Sequence, residues 1–470
     1  MDTLYDRLKA YSESDYYGFH MPGHKRNKKY VNAGLPCEWD ITEIEGFDDL
    51  HHAEGILKEA QEQAAQVYRA DETHFLVNGS TVGLLSAVLG VTEREDTILV
   101  ARNCHKSVYH AIDMKELHPV YLYPEFDSQA GLNTKVSVDD VEKALVENPK
   151  IRAVVIVSPT YDGVVSDVKA ISEVVHKKGI PLIVDEAHGA HFGFHSYFPK
   201  NSNLQGADIV IHSLHKTLPS LTQTALLHMN GTLVNREAVR DYLHMLQSSS
   251  PSYIFMASID SCVNLLKQER EALFEPYVNR LKALRKSLKK LRRLQLVETE
   301  SYDRSKIVIA AGAIGISGKE LQKRLLLDYH LQMEMAAGNY VLAMTSVGDT
   351  EEGFGRLEQA LFELDQSLEE KVSEEIKIKL PKTELVYTIT QIRKMKKMQK
   401  EDNVFVLPWE ESDGYISMEY AYLYPPGIPL IAPGELVTKE ITDALLQYER
   451  LGFSVEGLHT DGSIEVWNNG

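Results

Sequence analysis

The segment Ser213-Leu214-His215-Lys216-Thr217 follows directly on an apolar run, Asp208-Ile209-Val210-Ile211, with the character of a buried strand. A lysine at the end of such a strand is desolvated, and desolvation lowers its pKa. The free amine can then form an imine with an aldehyde. On its own a strand-end lysine is more often an ion-pair partner, so its chemistry depends on its company. Upstream, Val184-Asp185-Glu186-Ala187-His188 puts Asp185 at the C-terminal end of a second apolar strand. Ligands of parallel αβ sheets gather at those ends. A carboxylate there can pair with a protonated pyridine nitrogen and make the ring an electron sink. Asp185, Glu186, His188 and His191 are close enough in sequence to suggest a metal. Asp185 and Glu186 point to opposite sides of an extended strand, however, so no metal site is expected.

Two further segments complete the set. Leu76-Val77-Asn78-Gly79-Ser80-Thr81-Val82-Gly83 runs from a strand through a small polar turn into a helix. Free N–H groups and the positive helix end there suit a phosphate, with the Ser80 and Thr81 hydroxyls as added donors. An ordinary N-cap would use the same residue types. Arg102-Asn103-Cys104-His105-Lys106-Ser107 follows another strand, and its His105 can stack on a flat ring. A phosphate cradle, a stacking residue, a ring-nitrogen carboxylate and an imine lysine come in the order found in pyridoxal-phosphate (PLP) enzymes of the aspartate-aminotransferase fold.

These residues need a sheet to hold them. Short apolar strands are predicted at 75–77, 97–100, 154–157, 182–184 and 209–211, with helices between them such as 138–147 and 168–178. Such alternation gives an α/β fold around a largely parallel sheet. Residues 1–45 read as an arm, 46–285 as a large cofactor-binding domain and 286–365 as a small α/β domain. Residues 366–403 read as a linker or helical segment, and 404–470, dense in proline and glycine, as a C-terminal domain. A long charged helix is expected near 262–295. Strands are expected at 307–316 and 340–345.

Whole-chain properties narrow the class. The 470 residues exceed one ordinary core. A net charge of −18 disfavours nucleic acid as a partner and suits a cationic substrate. No window is apolar enough to span a membrane, and the N-terminus lacks a signal-peptide pattern. Cys37, Cys104 and Cys262 are isolated and odd in number, as in a cytoplasmic protein with reduced thiols.

The chain resembles the bacterial ornithine/lysine/arginine decarboxylase family. The resemblance rests on Pro22-Gly23-His24-Lys25, Asp48-Asp49-Leu50-His51, Asn78-Gly79-Ser80-Thr81, Arg102 to Ser107, Ser158-Pro159-Thr160-Tyr161, Asp185 to His191, Ser213-Leu214-His215-Lys216 and Tyr424 to Leu430. It covers nearly the whole chain, as a short form without the N-terminal wing domain of larger members. It implies fold type I, with a mostly parallel seven-stranded sheet in the large domain and smaller α+β C-terminal domains. It implies that Lys216 carries PLP, that Asp185 meets the ring nitrogen and that His105 stacks on the ring. Gly79, Ser80, Thr81, Thr160, Ser213 and His215 would lie around the cofactor. Ala187 and His188 would line its other face and hydroxyl edge. It further implies a homodimer or larger homo-oligomer, with Ser250 reaching the partner's phosphate. His52-Ala53-Glu54-Gly55 and the serines at 248–250 depart from the family's usual residues, in places that bear on substrate and not on cofactor.

The implied reaction is decarboxylation of arginine, lysine or ornithine in polyamine-related metabolism, with Lys216 or His215 returning a proton to Cα. Glu334 and Glu435 are the candidates for the substrate's distal cation. Transamination or aldol cleavage would use the same lysine and aspartate. A non-catalytic role would require weak cofactor binding.

Overall fold

The structure is a computed structural model that describes residues 14–19, 23, 25, 27, 29, 41–43, 47–127, 132–311, 316–368, 380–397, 403–424, 428–450, 454–460 and 462–468. Most of the arm, Cys37 and the Pro425-Pro426-Gly427 turn lie outside these residues.

Seven strands form the main sheet: β1 (Glu72–Leu76), β2 (Thr97–Ala101), β3 (His118–Leu122), β4 (Ile151–Val157), β5 (Leu182–Asp185), β6 (Ile209–Ser213) and β7 (Ala225–Met229). Their spatial order is β1-β7-β6-β5-β4-β2-β3. The neighbours from β6 to β3 pair in parallel, whereas β7 is antiparallel to both β1 and β6. The central strands carry helices on both faces, so their sequences are unbroken apolar runs such as Leu182-Ile183-Val184. Alternate residues of one strand feed different cores. Phe75 and Leu226 join one apolar cluster, and Leu76 and Leu227 join the other.

Helix α1 (Ile56–Tyr68) precedes β1, α2 (Gly79–Val91) follows it, and α3 (Lys106–Met114) follows β2. Helix α4 (Val138–Glu147) leads into β4, and α5 (Val168–His176) leads into β5. The Asp167 side chain caps α5 by accepting from the Ala170 N–H. A single turn, α6 (Leu214–Thr217), leaves β6 and carries Lys216. Helix α7 (Arg236–Leu246) follows β7 and packs on α2.

The long helix α8 runs from Tyr253 to Leu288, with a non-helical residue at Glu269. It starts earlier than the charge pattern predicts, because Ser252 caps it and its first turns are apolar. It leads to a four-stranded antiparallel sheet of β8 (Gln295–Leu296), β9 (Lys306–Ala310), β10 (Met335–Ala337) and β11 (Tyr340–Met344), ordered β8-β9-β11-β10. Within 366–403 the described residues comprise the end of a helix, Glu351–Ser367, and one further helix, Ile389–Lys397. Beyond it lie two three-stranded sheets built from residues 404–467. Among the described residues no helix is long and apolar enough to cross a membrane.

Candidate active site

The C-terminal ends of β4, β5 and β6 and the start of α2 enclose a cavity of about 380 Å³. A larger open cleft of about 730 Å³ runs beside His51, His52, His74 and His244, and includes none of the candidate cofactor-binding or catalytic residues. Chemistry therefore favours the smaller cavity. Gly79, Ser80, Thr81, His105, Thr160, Asp185, Ala187, His188, Ser213, His215 and Lys216 all line it.

At one end the chain turns from β1 into α2 through Gly79, whose φ of +75° suits glycine. Asn78 caps the helix without a side-chain hydrogen bond, which leaves the first-turn N–H groups to a ligand. The Ser80 and Ser213 hydroxyls lie 2.6 Å apart, so α2 and β6 bring their donors to one point.

Asp185 is buried, and its Oδ1 accepts the Ala187 N–H at 3.1 Å. Burial raises its pKa, and Lys216 opposes that rise. Glu186 turns the other way. Its carboxylate accepts from the Ser202 N–H at 3.1 Å and from the Ser202 hydroxyl, and His212 Nε2 lies 2.7 Å from it. His191 instead meets Asp303 at 3.1 Å. The residues that suggested a metal thus go to separate partners.

His105 is the N-cap of α3. Its Nδ1 accepts from the Ser107 N–H at 3.3 Å and lies 2.9 Å from the Ser107 hydroxyl, so the ring proton belongs on Nε2. Burial, aided by Lys216 and Lys106, lowers its pKa to about 3. It is a neutral, flat face. His215 donates from Nδ1 to the Thr224 carbonyl at 2.9 Å. Gly23 donates its N–H to the His215 carbonyl, and a Cβ at Gly23 would sit 2.5 Å from the Leu218 nitrogen. That close approach seats Gly23 against the Lys216 loop.

Lys216 Nζ lies 3.0 Å from His188 Nε2. Burial lowers the lysine's pKa, with Asp185 and Glu334 opposing. On the other side of the same imidazole, Lys306 Nζ lies 2.9 Å from Nδ1. Burial lowers Lys306 to about 8 and holds His188 well below the ordinary imidazole range.

The remaining expectations divide. Thr160 lines the cavity while its hydroxyl accepts the Val164 N–H at 3.0 Å. Ser250 is exposed and does not line the cavity of its own chain. Glu334 accepts from the hydroxyl of Tyr161, a cavity residue, and its charge is felt by Lys216. Glu435 is a correction. It is fully buried, and it accepts from Arg102 at 2.9 Å, from the Thr383 hydroxyl at 2.9 Å and from the Ala432 N–H at 2.8 Å. Its oxygens are already committed, so it does not receive a substrate cation. Sequence reasoning gave no role to Tyr161 and missed Lys306 and Asp162. The only signal for Lys306 was a cation opening an otherwise apolar strand.

Residues 2–310 match the Orn/Lys/Arg decarboxylase major domain, and residues 379–461 match the C-terminal domain of that family. An arginine decarboxylase of Bacillus subtilis (strain 168) is 32% identical over 479 residues, covering 97% of this chain and 95% of the relative. The uncharacterized protein YaaO of the same organism is 36% identical over 473 residues, again covering 97% and 95%. Among solved structures, the Francisella novicida lysine decarboxylase LdcF superposes with a TM-score of 0.77 at 21% identity, covering 98% of this chain and 80% of that one.

Proposed function

The chain belongs to the Orn/Lys/Arg decarboxylase family, and from that premise we propose that it decarboxylates arginine using PLP held in the Lys216 cavity. It is an amino-acid decarboxylase that acts on a basic amino acid, built on the type I fold of PLP enzymes. The observation that carries the cofactor reading is Lys216 itself: a buried amine at the end of β6, against the neutral His188 imidazole and in the field of Asp185.

The donor set suits PLP. Uncapped N–H groups of α2 and the Ser80, Thr81 and Ser213 hydroxyls fit a phosphate. The buried Asp185 fits a ring N–H, and the neutral faces of His105 and Ala187 fit a flat ring between them. When bound, PLP supplies a sink for the electron pair left as the Cα–carboxylate bond breaks. Asp185 holds a proton at the ring nitrogen by its charge. His105 orients the ring, and His188 offers a proton to its hydroxyl edge. Lys216 attaches the cofactor through Nζ, then serves as the acid that returns a proton to Cα, with His215 beside it. The low exposure of Asp185, His188 and Ser213 keeps water from the reacting carbon.

Arginine is favoured over lysine and ornithine because the Bacillus subtilis relative named for arginine matches over nearly both full lengths. Glu334, which reaches the cavity through the Tyr161 hydroxyl, is the carboxylate assigned to the substrate's distal cation. The reading includes a homodimer in which Ser250 approaches the partner's phosphate. It also includes action in the cytoplasm, consistent with Cys104 and Cys262 being buried free thiols, and an amine product that feeds polyamine synthesis.

The test is a purified-protein assay of carbon dioxide release from arginine, lysine and ornithine, with the product amine identified. Release from arginine, and an imine absorbance band lost in Lys216→Ala, are expected. Release from lysine or ornithine in preference would overturn the substrate. Amino transfer to a keto acid without gas would overturn the reaction.

A further inference from the structure

Lys306 opens β9 and is 2% exposed. Its stem lies close against Gly163, where a Cβ would come within 2.7 Å of its Cγ. Its Nζ and that of Lys216 flank His188, at 2.9 Å from Nδ1 and 3.0 Å from Nε2. A neutral imidazole has one donor and one acceptor, whereas an ammonium group only donates. Two ammonium groups therefore cannot both be satisfied by His188. One lysine must be the free amine, and two hydrogen-bond patterns achieve this. They differ by the movement of one proton across the ring.

The groups facing each end are distinct. Lys216 feels Asp185 and Glu334, with His105 and His215 also lining its cavity. Lys306 feels Asp303, Glu334 and Asp162, and lies 5.6 Å from the centre of the Tyr161 ring. Asp303 accepts from Ser305 at 2.7 Å and meets His191 at 3.1 Å, partners that hold its carboxylate ionised against burial. The Lys306 end thus has a fixed anion to balance a cation.

We infer that Lys306 takes up, through His188, the proton that Lys216 must shed to act as a nucleophile. An N–H bond of the Lys216 ammonium breaks as its proton passes to His188 Nε2. The proton on Nδ1 passes to Lys306 Nζ. One proton has moved from Lys216 to Lys306, the imidazole has exchanged tautomers, and nothing has been lost to solvent or oxidised. His188 then presents Nε2–H toward Lys216 and the cofactor edge, locked by the Lys306 ammonium on Nδ1. Lys306 is a positioning residue, since it acts through His188. Burial holds His188 well below the ordinary imidazole range, as a neutral relay ring requires, and although burial also lowers Lys306, Asp303, Glu334 and Asp162 favour the cation at that end. The inference rests on Lys216 being the imine lysine.

The test reads Lys216 without cofactor. The apoprotein is acetylated with limiting acetic anhydride across a pH series, and the Lys216 peptide is quantified by mass spectrometry. In Lys306→Met the like charge and the proton's seat are both gone, so the midpoint for Lys216 labelling rises by about one pH unit or more. In Lys306→Arg the guanidinium keeps its proton and its donor on Nδ1, so the midpoint stays at or below that of the unaltered protein. A Lys306→Met midpoint that does not move, in a chain with an unaltered melting curve, overturns the inference. If that variant does not fold, Lys306→Arg decides: a raised midpoint there overturns it. Incubation of the unaltered chain with PLP and borohydride is read separately. Failure to trap cofactor on Lys216 would sink the functional reading, while the labelling profile would still report on Lys306.

Discussion

The guanidinium of Arg102 donates to the Glu435 carboxylate at 2.9 Å, with side chains only 1% and 0% exposed. Arg102 follows β2 and lies 4.8 Å over the Tyr121 ring, while Glu435 belongs to the C-terminal part of the chain. The pair joins the main sheet to that part. Breaking one half leaves an uncompensated buried charge. Glu435→Gln is therefore expected to lower stability by about 3 kcal/mol in urea unfolding, with KM for the substrate little changed. A large rise in KM at unaltered stability would return Glu435 to the substrate site.

Asp185 separates cofactor binding from turnover. In Asp185→Asn the phosphate cradle and Lys216 are intact, so PLP remains bound, as its absorbance will report. The group that keeps the ring nitrogen protonated has lost its charge, and kcat is expected to fall on the order of 10²-fold or more. Retention of full activity would remove Asp185 from the chemistry.

Behind Asp185, on the far side of the strand, runs a buried chain of polar groups. His212 joins Glu186 at 2.7 Å and His228 at 2.9 Å, and His228 meets the Thr73 hydroxyl at 2.7 Å. With Glu186 ionised, each histidine donates from Nε2 and accepts at Nδ1, so both rings are satisfied while neutral. His212→Phe removes the ring donor to Glu186 and is expected to cost about 3 kcal/mol. The check is urea unfolding beside kcat measured at low temperature. A loss of kcat without a loss of stability would mean that this chain belongs to the reaction.

Strands β1, β2, β4, β5 and β6, and the residues at their ends, are legible because each carries a short apolar run, unbroken where the strand is buried on both faces. Lys216, Asp185, Ser80 and His105 each sit at the end of such a run. Strand β3 escaped because it is an edge, with exposed His118 and with Pro119, which has no N–H to donate. Strand β7 escaped because its antiparallel return is preceded only by the single turn α6, with no full helix to mark its start. Lys306 was invisible for a different reason: it meets His188 across 118 residues, and no local pattern encodes that contact. Glu435 was misread in the same way. Pro433-Gly434-Glu435 looks like an exposed turn until Arg102, 333 residues away, closes over it.

Glu334 carries the remaining claim about substrate. Its partner Tyr161 lines the cavity, and Lys25, Lys216 and Lys306 all feel its charge. If it receives the distal cation, Glu334→Gln loses one charge pair of about 2 kcal/mol, a rise in KM of roughly 30-fold. A matching fall in kcat with KM unchanged would place Glu334 with the lysines instead of the substrate.

Acid stability follows from Glu298. Burial would raise its pKa, but hydrogen bonds from Lys289, Arg285 and Tyr302 outweigh burial and hold it at about 2, against an ordinary 4.5. Arg285 and Tyr302 donate to Oε1 at 2.8 Å each, and Lys289 reaches Oε2 at 2.7 Å. A folded value below the unfolded one means that the unfolded chain takes the proton first. The stabilisation is therefore complete above pH 4.5 and is lost as the pH falls through 2. Glu298→Gln should be less stable than the unaltered chain at pH 7, and the gap should close between pH 4.5 and pH 2. Some acid sensitivity will persist, because Glu72, held at about 2 by His74 and Arg240 despite burial, titrates in the same window. Unfolding free energies measured at intervals across that range decide the matter: parallel curves for the two chains would show that Glu298 is not the titrating group.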